Sequence, residues 1–161
     1  MKIELLAIGE VKPDWASTLI QRALDTDYSH IGILINGVHL WHATEVGFHM
    51  IPWATFEPGH VVRHRFEWEV KDGTYQEGLI TGWLIATMGK EYSTSQYLGF
   101  IFPMLRSVKI IANGNSKLVC SEAGGQFLYD TYLLRDHRLS KCDWLDPKKI
   151  VEICYESRRA G

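Results

Sequence analysis

One cysteine and two histidines have the residue types expected of a nucleophile and its imidazole base. Cys120 lies in the stretch LVCSEAGGQFL at a predicted helix start, where the helix dipole and backbone N–H groups favour a thiolate. His30 and His42 both lie in the stretch SHIGILINGVHLWHA. A thiolate is a nucleophile, and N–H groups at a helix start can hold an oxyanion. Because catalytic partners meet in space and not in sequence, these three residues are candidates for one site.

Each of the three residues also has an ordinary structural interpretation. A lone cysteine in a helix is commonly a small buried core residue. A histidine at a strand boundary commonly bonds a nearby carbonyl oxygen. A zinc site formed by His30, His42 and Cys120 is a further alternative, because Cys and His are typical zinc ligands. The residues alone leave these alternatives open, and we expect neither a metal nor another cofactor.

The two histidines flank a predicted β-hairpin whose register the sequence leaves open. The Asn-Gly step at residues 36–37 is a strong hairpin signal. A two-residue turn pairs Ile35 with Val38, places His42 on the other face from His30, and makes His39 the reserve candidate. A three-residue loop that includes Ile35 instead sets His30 directly opposite His42. A site with both histidines requires the second register, or a bulge with the same effect.

Hydrophobic periodicity predicts a sheet in the first part of the chain and helices later, which is typical of an α+β fold. In the last predicted strand, Val62, His64, Phe66 and Trp68 should share one face. Predicted strands cover residues 2–9, the 29–43 hairpin, 47–56 with Pro52 interrupting, and 61–70. Predicted helices cover residues 15–24, 73–88 and 119–133, while 149–155 is a last strand or a short helix.

Length and composition predict a single domain spanning residues 1–161. The chain has 161 residues with 46% hydrophobic content, enough for a substantial core. A formal charge of −2 gives no electrostatic case for binding nucleic acid. The most apolar region, residues 97–112, is interrupted by Pro103 and Arg106, so no integral membrane segment is expected. Three cysteines and no visible signal peptide favour a cytoplasmic location with free thiols.

The motifs SHIGILI, LWHA and CSE, in this order, resemble the circularly permuted branch of the NlpC-type papain-like superfamily. That branch includes bacterial YiiX-like proteins and, more distantly, lecithin:retinol acyltransferase. The resemblance implies that His30 is the base, His42 orients it and Cys120 is the nucleophile. It further implies that Tyr92, in GKEYS, lines the site, and Ser121 is a second candidate for lining the site or the oxyanion hole. The chain departs from the pattern in lacking the Gly-Asp start that many permuted members have.

The resemblance implies a papain-like cysteine hydrolase of the thiol protease or amidase type. Its substrate would be a small peptide, amide or acyl compound, with cell-wall peptide the commonest case. Without an export signal, such a chain would reach the wall only with help, as a phage-encoded protein does through a holin or a virion. The alternatives are an acyltransferase or thioesterase with an apolar groove at residues 100–105, and a non-catalytic binding module. Oligomeric state and substrate identity do not follow from the sequence.

Overall fold

The computed structural model describes residues 1–44, 47–91, 119–140 and 145–160, which form an α+β fold. In these parts of the chain, five antiparallel strands form one sheet in the order β4-β3-β2-β1-β5. The strands are β1 (Lys2–Glu10), β2 (His30–Ile35), β3 (His39–Thr44), β4 (Gly47–Pro52) and β5 (His60–Glu69). The helices are α1 (Trp15–Leu24), α2 (Trp53–Phe56), α3 (Tyr75–Thr87), α4 (Cys120–Asp130), α5 (His137–Ser140) and α6 (Pro147–Ala160). The predicted N-terminal antiparallel sheet with helices packed on it is confirmed.

The two faces of the sheet bury two separate hydrophobic clusters, because side chains alternate between the faces along each strand. We call the face covered by α4 and α6 the helix face; its strand residues include Ile31, Ile33 and Trp41. We call the other the inner face; Leu34 and Leu40 lie on it. Its cover is the short segment that begins with α2, and the residues packed there are Leu6, Ile8, Trp53, Phe56 and Val62. The sheet is thus buried on both sides.

The β2–β3 hairpin adopts neither of the two predicted registers. Ile35 pairs with His39 and Leu34 pairs with Leu40, which leaves Asn36, Gly37 and Val38 in the turn. The Asn-Gly step itself is as predicted, since both residues have positive φ, 51° and 69°. Val38 is the extra residue, and its carbonyl accepts a hydrogen bond from Trp53 N at 2.7 Å. This contact from outside the hairpin was not visible in the local sequence.

A β-bulge corrects the prediction that Val62, His64 and Phe66 share a face. Ala7 pairs with His64, but the next residue, Ile8, pairs with Val62, so one residue of β5 is skipped. A bulge of this kind shifts the alternation of side chains. As a result, Val62 packs on the inner face while Phe66 belongs to the cluster of the helix face.

The C-terminal segment is a helix of 14 residues, which decides between the two predictions for residues 149–155. Asp146 Oδ1 accepts the N–H of Lys149 at 2.7 Å, and Pro147 occupies the first helical position. Asp before Pro is a favourable helix start because Asp caps the N–H groups and Pro lacks one. Another hydrogen bond, from Ser121 Oγ to Leu145 O at 2.5 Å, ties the start of α4 to this end of α6.

Among the helices of the described ranges, none has the length and apolar character needed to cross a bilayer. Some sequence predictions lie outside the described residues. These are the site-lining role of Tyr92, the apolar groove at 100–105, and the free thiol of Cys142.

Candidate active site

His30 and His42 form a pair on the inner face of the sheet. Counting from the Leu34–Leu40 pair, each histidine falls on the same face as those leucines. Their ring centroids are 5.5 Å apart, and the rings meet edge to face at 87°. The shifted register therefore achieves what the second predicted register required, with the histidines as neighbours although not directly opposite.

Aromatic rings enclose this pair. The ring of Phe56 lies 5.0 Å from that of His42, and it stacks on the ring of His60 at 3.6 Å. His60 donates a hydrogen bond from Nδ1 to the carbonyl oxygen of Phe56 at 2.7 Å. A small cavity of about 200 Å³ adjoins the pair, and its lining also includes Glu10, on the strand next to β2.

Both imidazoles of the pair are held neutral. Burial lowers the pKa of His30 to about 3, with smaller contributions from His42 and His60. Burial also lowers the pKa of His42 to about 4, with contributions from His49 and His60. Desolvation and like charges both disfavour the protonated form. A neutral imidazole keeps a lone pair that can accept a proton, but a pKa this low makes each ring a weak base unless a nearby anion, such as a thiolate, stabilises the imidazolium.

Within the part of the chain that the structure describes, the Nε2 atoms of His30 and His42 are buried and have no hydrogen-bond partner. Leaving a buried polar group unsatisfied costs about 1–3 kcal/mol. Unsatisfied polar groups are rare in native proteins, and a catalytic role is one of the recognised reasons for them. Two of them on adjacent rings mark this pair as a candidate functional site.

Cys120 is the first residue of α4 and is 4% exposed. The preceding residue, Val119, is extended, and its N–H lies 3.4 Å from Oε2 of Glu122. The helix packs on β2 through Gly124, where an added Cβ would lie 2.8 Å from Cγ2 of Ile31. Cys120 therefore lies about one helical turn before Gly124, the residue that approaches Ile31. Ile31 in turn directly follows His30.

Cys120 and the two histidines nevertheless belong to opposite faces of the sheet. Cys120 lies in the cluster of the helix face with Ala123 and Phe127, whereas His30 and His42 alternate onto the inner face. Cys120 is also not among the described residues that line the cavity beside the histidines. The structure thus brings the start of α4 to the start of β2, but it does not place the thiol in the histidine cavity.

The other predicted site residues differ in their placement. The hydroxyl of Ser121 donates to Leu145 O, so its proton is already used in a structural hydrogen bond. His39 is exposed, and its pairing with Ile35 puts it on the face opposite His30. The register that would have made His39 the reserve candidate has not formed.

Two histidines near the pair were not predicted as site residues. His49 pairs directly with His42 across β3 and β4, and His60 begins β5 beneath Phe56. The sequence signal for His49 was its position on a strand that follows β3 after a short loop, which favours an antiparallel pair. His60 had no such signal, because β5 pairs with β1, a strand distant in sequence, and lies at the edge of the sheet opposite β4.

In residues 1–44, 47–91, 119–140 and 145–160, no three His, Cys, Asp or Glu side chains are grouped closely enough to hold a metal ion. The zinc alternative built from His30, His42 and Cys120 therefore gains no support from the described residues.

The fold and the histidine pair define an α+β protein with a buried two-histidine site. No protein-family model matches the chain, and a search of curated proteins finds no match to it. The function must therefore be argued from the site itself.

Proposed function

We propose that this protein is a cysteine hydrolase of the permuted NlpC-type papain-like class that cleaves an amide or ester bond. The observation that carries the proposal is the pair of neutral imidazoles on β2 and β3, together with the packing of α4, whose first residue is Cys120, against Ile31, the residue that follows His30. The order of strand, strand and helix agrees with the order that the motif resemblance implies.

The proposed chemistry assigns one role to each residue. His30 takes the proton of the Cys120 thiol, and the thiolate attacks the substrate carbonyl carbon. His42 orients His30 and stabilises the imidazolium that forms. Backbone N–H groups in the first turn of α4 donate to the oxyanion. His30 then protonates the leaving amine or alcohol, and water hydrolyses the thioester with His30 again as base.

This mechanism requires the thiol of Cys120 to reach His30 around the first residue of β2, since α4 packs on the opposite face. The distance between the Cys120 thiol and the His30 ring is therefore the quantity that decides between catalysis and a structural cysteine.

The pH dependence of Cys120 alkylation tests the proposal, with Cys142 and Cys154 replaced by Ser so that one thiol remains. We expect rapid modification by iodoacetamide well below pH ~8.5, the ordinary pKa of a thiol. In His30→Asn the midpoint should rise towards that value, while the matched change at the exposed His39, His39→Asn, should leave it unchanged. Slow alkylation with an ordinary midpoint that does not respond to His30→Asn would contradict the proposal.

A non-catalytic binding module is the second candidate, and one observation favours it. Cys120 is buried among core residues of the helix face, whereas the histidines adjoin a separate cavity on the inner face. On this alternative the cysteine is inert, and the cavity of about 200 Å³ holds a small ligand. The alkylation experiment separates the two candidates, because only the hydrolase predicts a reactive thiol.

A further inference from the structure

A third imidazole extends the His30–His42 pair across the sheet. His49 on β4 is the direct cross-strand partner of His42 on β3. Their ring centroids are 4.7 Å apart, and the rings meet at 64°. On the other side of His42, the ring of His30 lies at 5.5 Å. Three neighbouring strands thus carry a row of imidazoles that runs from the enclosed Nε2 of His30 to the partly buried ring of His49.

The proton of His49 has a defined position. Its Nδ1 lies 3.2 Å from the carbonyl oxygen of Gly47, which can only accept a hydrogen bond. Nδ1 therefore carries a hydrogen, and in the neutral form of the ring Nε2 carries the lone pair. Gly47 has a φ of 113°, which favours glycine, and the backbone of Lys90 approaches it so closely that an added Cβ would lie 2.5 Å from Lys90 O. The carbonyl of Gly47, the first residue of β4, thus sets the tautomer of the neutral His49 ring.

We propose that His49 is a positioning residue that fixes the tautomer of His42. A rotation of the His42 ring lets its N–H donate to Nε2 of His49. This hydrogen bond gives a partner to a ring whose buried Nε2 has none among the described residues. The lone pair of His42 then faces His30 and accepts the N–H of that ring. The remaining nitrogen of His30 keeps its lone pair, which is the form required of a base.

Only this last step rests on the proposed function; the tautomer of His42 does not depend on catalysis. The titratable groups that face His42 come from several elements: His30 on β2, His49 on β4, His60 on β5, and Glu10 at the end of β1 in the adjoining cavity. Any change at His49 is therefore compared with the same change at a histidine outside this group.

Proton–nitrogen correlation spectra of the isotope-labelled imidazole rings test the inference at neutral pH. We expect one tautomer of His42 in the parent protein. His49→Phe keeps a ring against His42 but removes the acceptor, so the His42 signals should shift towards the other tautomer. His49→Gln restores an acceptor and should restore the parent signals. The matched control His39→Phe should change nothing, and an unchanged His42 spectrum in His49→Phe would overturn the inference.

The alkylation of Cys120 distinguishes this inference from the proposed function. If both hold, His49→Phe raises the pH midpoint of alkylation and His49→Gln returns it towards the parent value. If alkylation does not respond to His30→Asn, the hydrolase proposal fails, while the imidazole spectra still decide the role of His49. A change of midpoint in His49→Phe that His49→Gln does not rescue would indicate a packing role and contradict the inference.

Discussion

The burial of His30 predicts a loss of stability in mild acid. Its pKa is lowered from 6.5 to about 3 in the folded protein, chiefly by burial. Between these two values the unfolded state binds more protons than the folded state, so the free energy of unfolding falls as the pH falls. The contribution of His30 is present in full above pH ~6.5 and is lost progressively as the pH approaches the folded value.

The magnitude follows from the size of the shift. The pH of 5 lies about 1.5 units below the pKa of the unfolded imidazole. Proton binding at pH 5 therefore lowers the free energy of unfolding by about 2 kcal/mol relative to neutral pH. His42 acts in the same direction, because its folded pKa is also lowered, to about 4.

Urea unfolding of the parent and of His30→Asn at pH 7, 6 and 5 checks this prediction, with the exposed His39→Asn as the matched control. Between neutral pH and pH 5 the parent should lose about 2 kcal/mol more than His30→Asn, because the variant has no imidazole to protonate. The control should follow the parent. Equal losses in the parent and in His30→Asn would refute the claim that the fold holds His30 neutral.

Three further predictions concern packing, backbone conformation and thiol reactivity. Gly124→Ala should destabilise the protein by about 1 kcal/mol even after the gain in helix propensity, because the added Cβ would lie 2.8 Å from a side-chain atom of Ile31. The matched Gly82→Ala should stabilise the protein, because its added Cβ would meet no atom of the described residues within 4 Å. Thermal unfolding of both variants checks these two changes. Gly37→Ala should lower the free energy of unfolding by about 1 kcal/mol, because φ is 69° at this position, whereas Gly37→Asn should lower it less. Equal midpoints of urea unfolding for the two variants would refute this prediction. Cys154, whose pKa burial raises to about 12, should remain unmodified by iodoacetamide at pH 8 until urea unfolds the protein, as mass mapping of labelled peptides would reveal.

The sequence by itself predicted the elements whose signals are local. Helix α1 spans Trp15–Leu24 as predicted, because Asp14 caps it through a hydrogen bond from Ser17 N at 2.6 Å and no distant contact is needed. The Asn-Gly step formed the turn that its left-handed conformations favour. For the candidate site, the sequence singled out His30 and His42 as partners, and their rings lie together.

The tertiary structure alone decided the register and the faces. A slip of one residue in a hairpin moves every side chain to the other face. The register here leaves Val38 in the turn, where its carbonyl accepts a hydrogen bond from Trp53 N in a later segment. Likewise, His49 and His60 reach the pair only through pairings and packing that follow from the whole sheet. Local patterns carry no information on such contacts between distant residues. For that reason the sequence could name the histidine pair, while only the folded chain could show which residues surround it and on which face Cys120 lies.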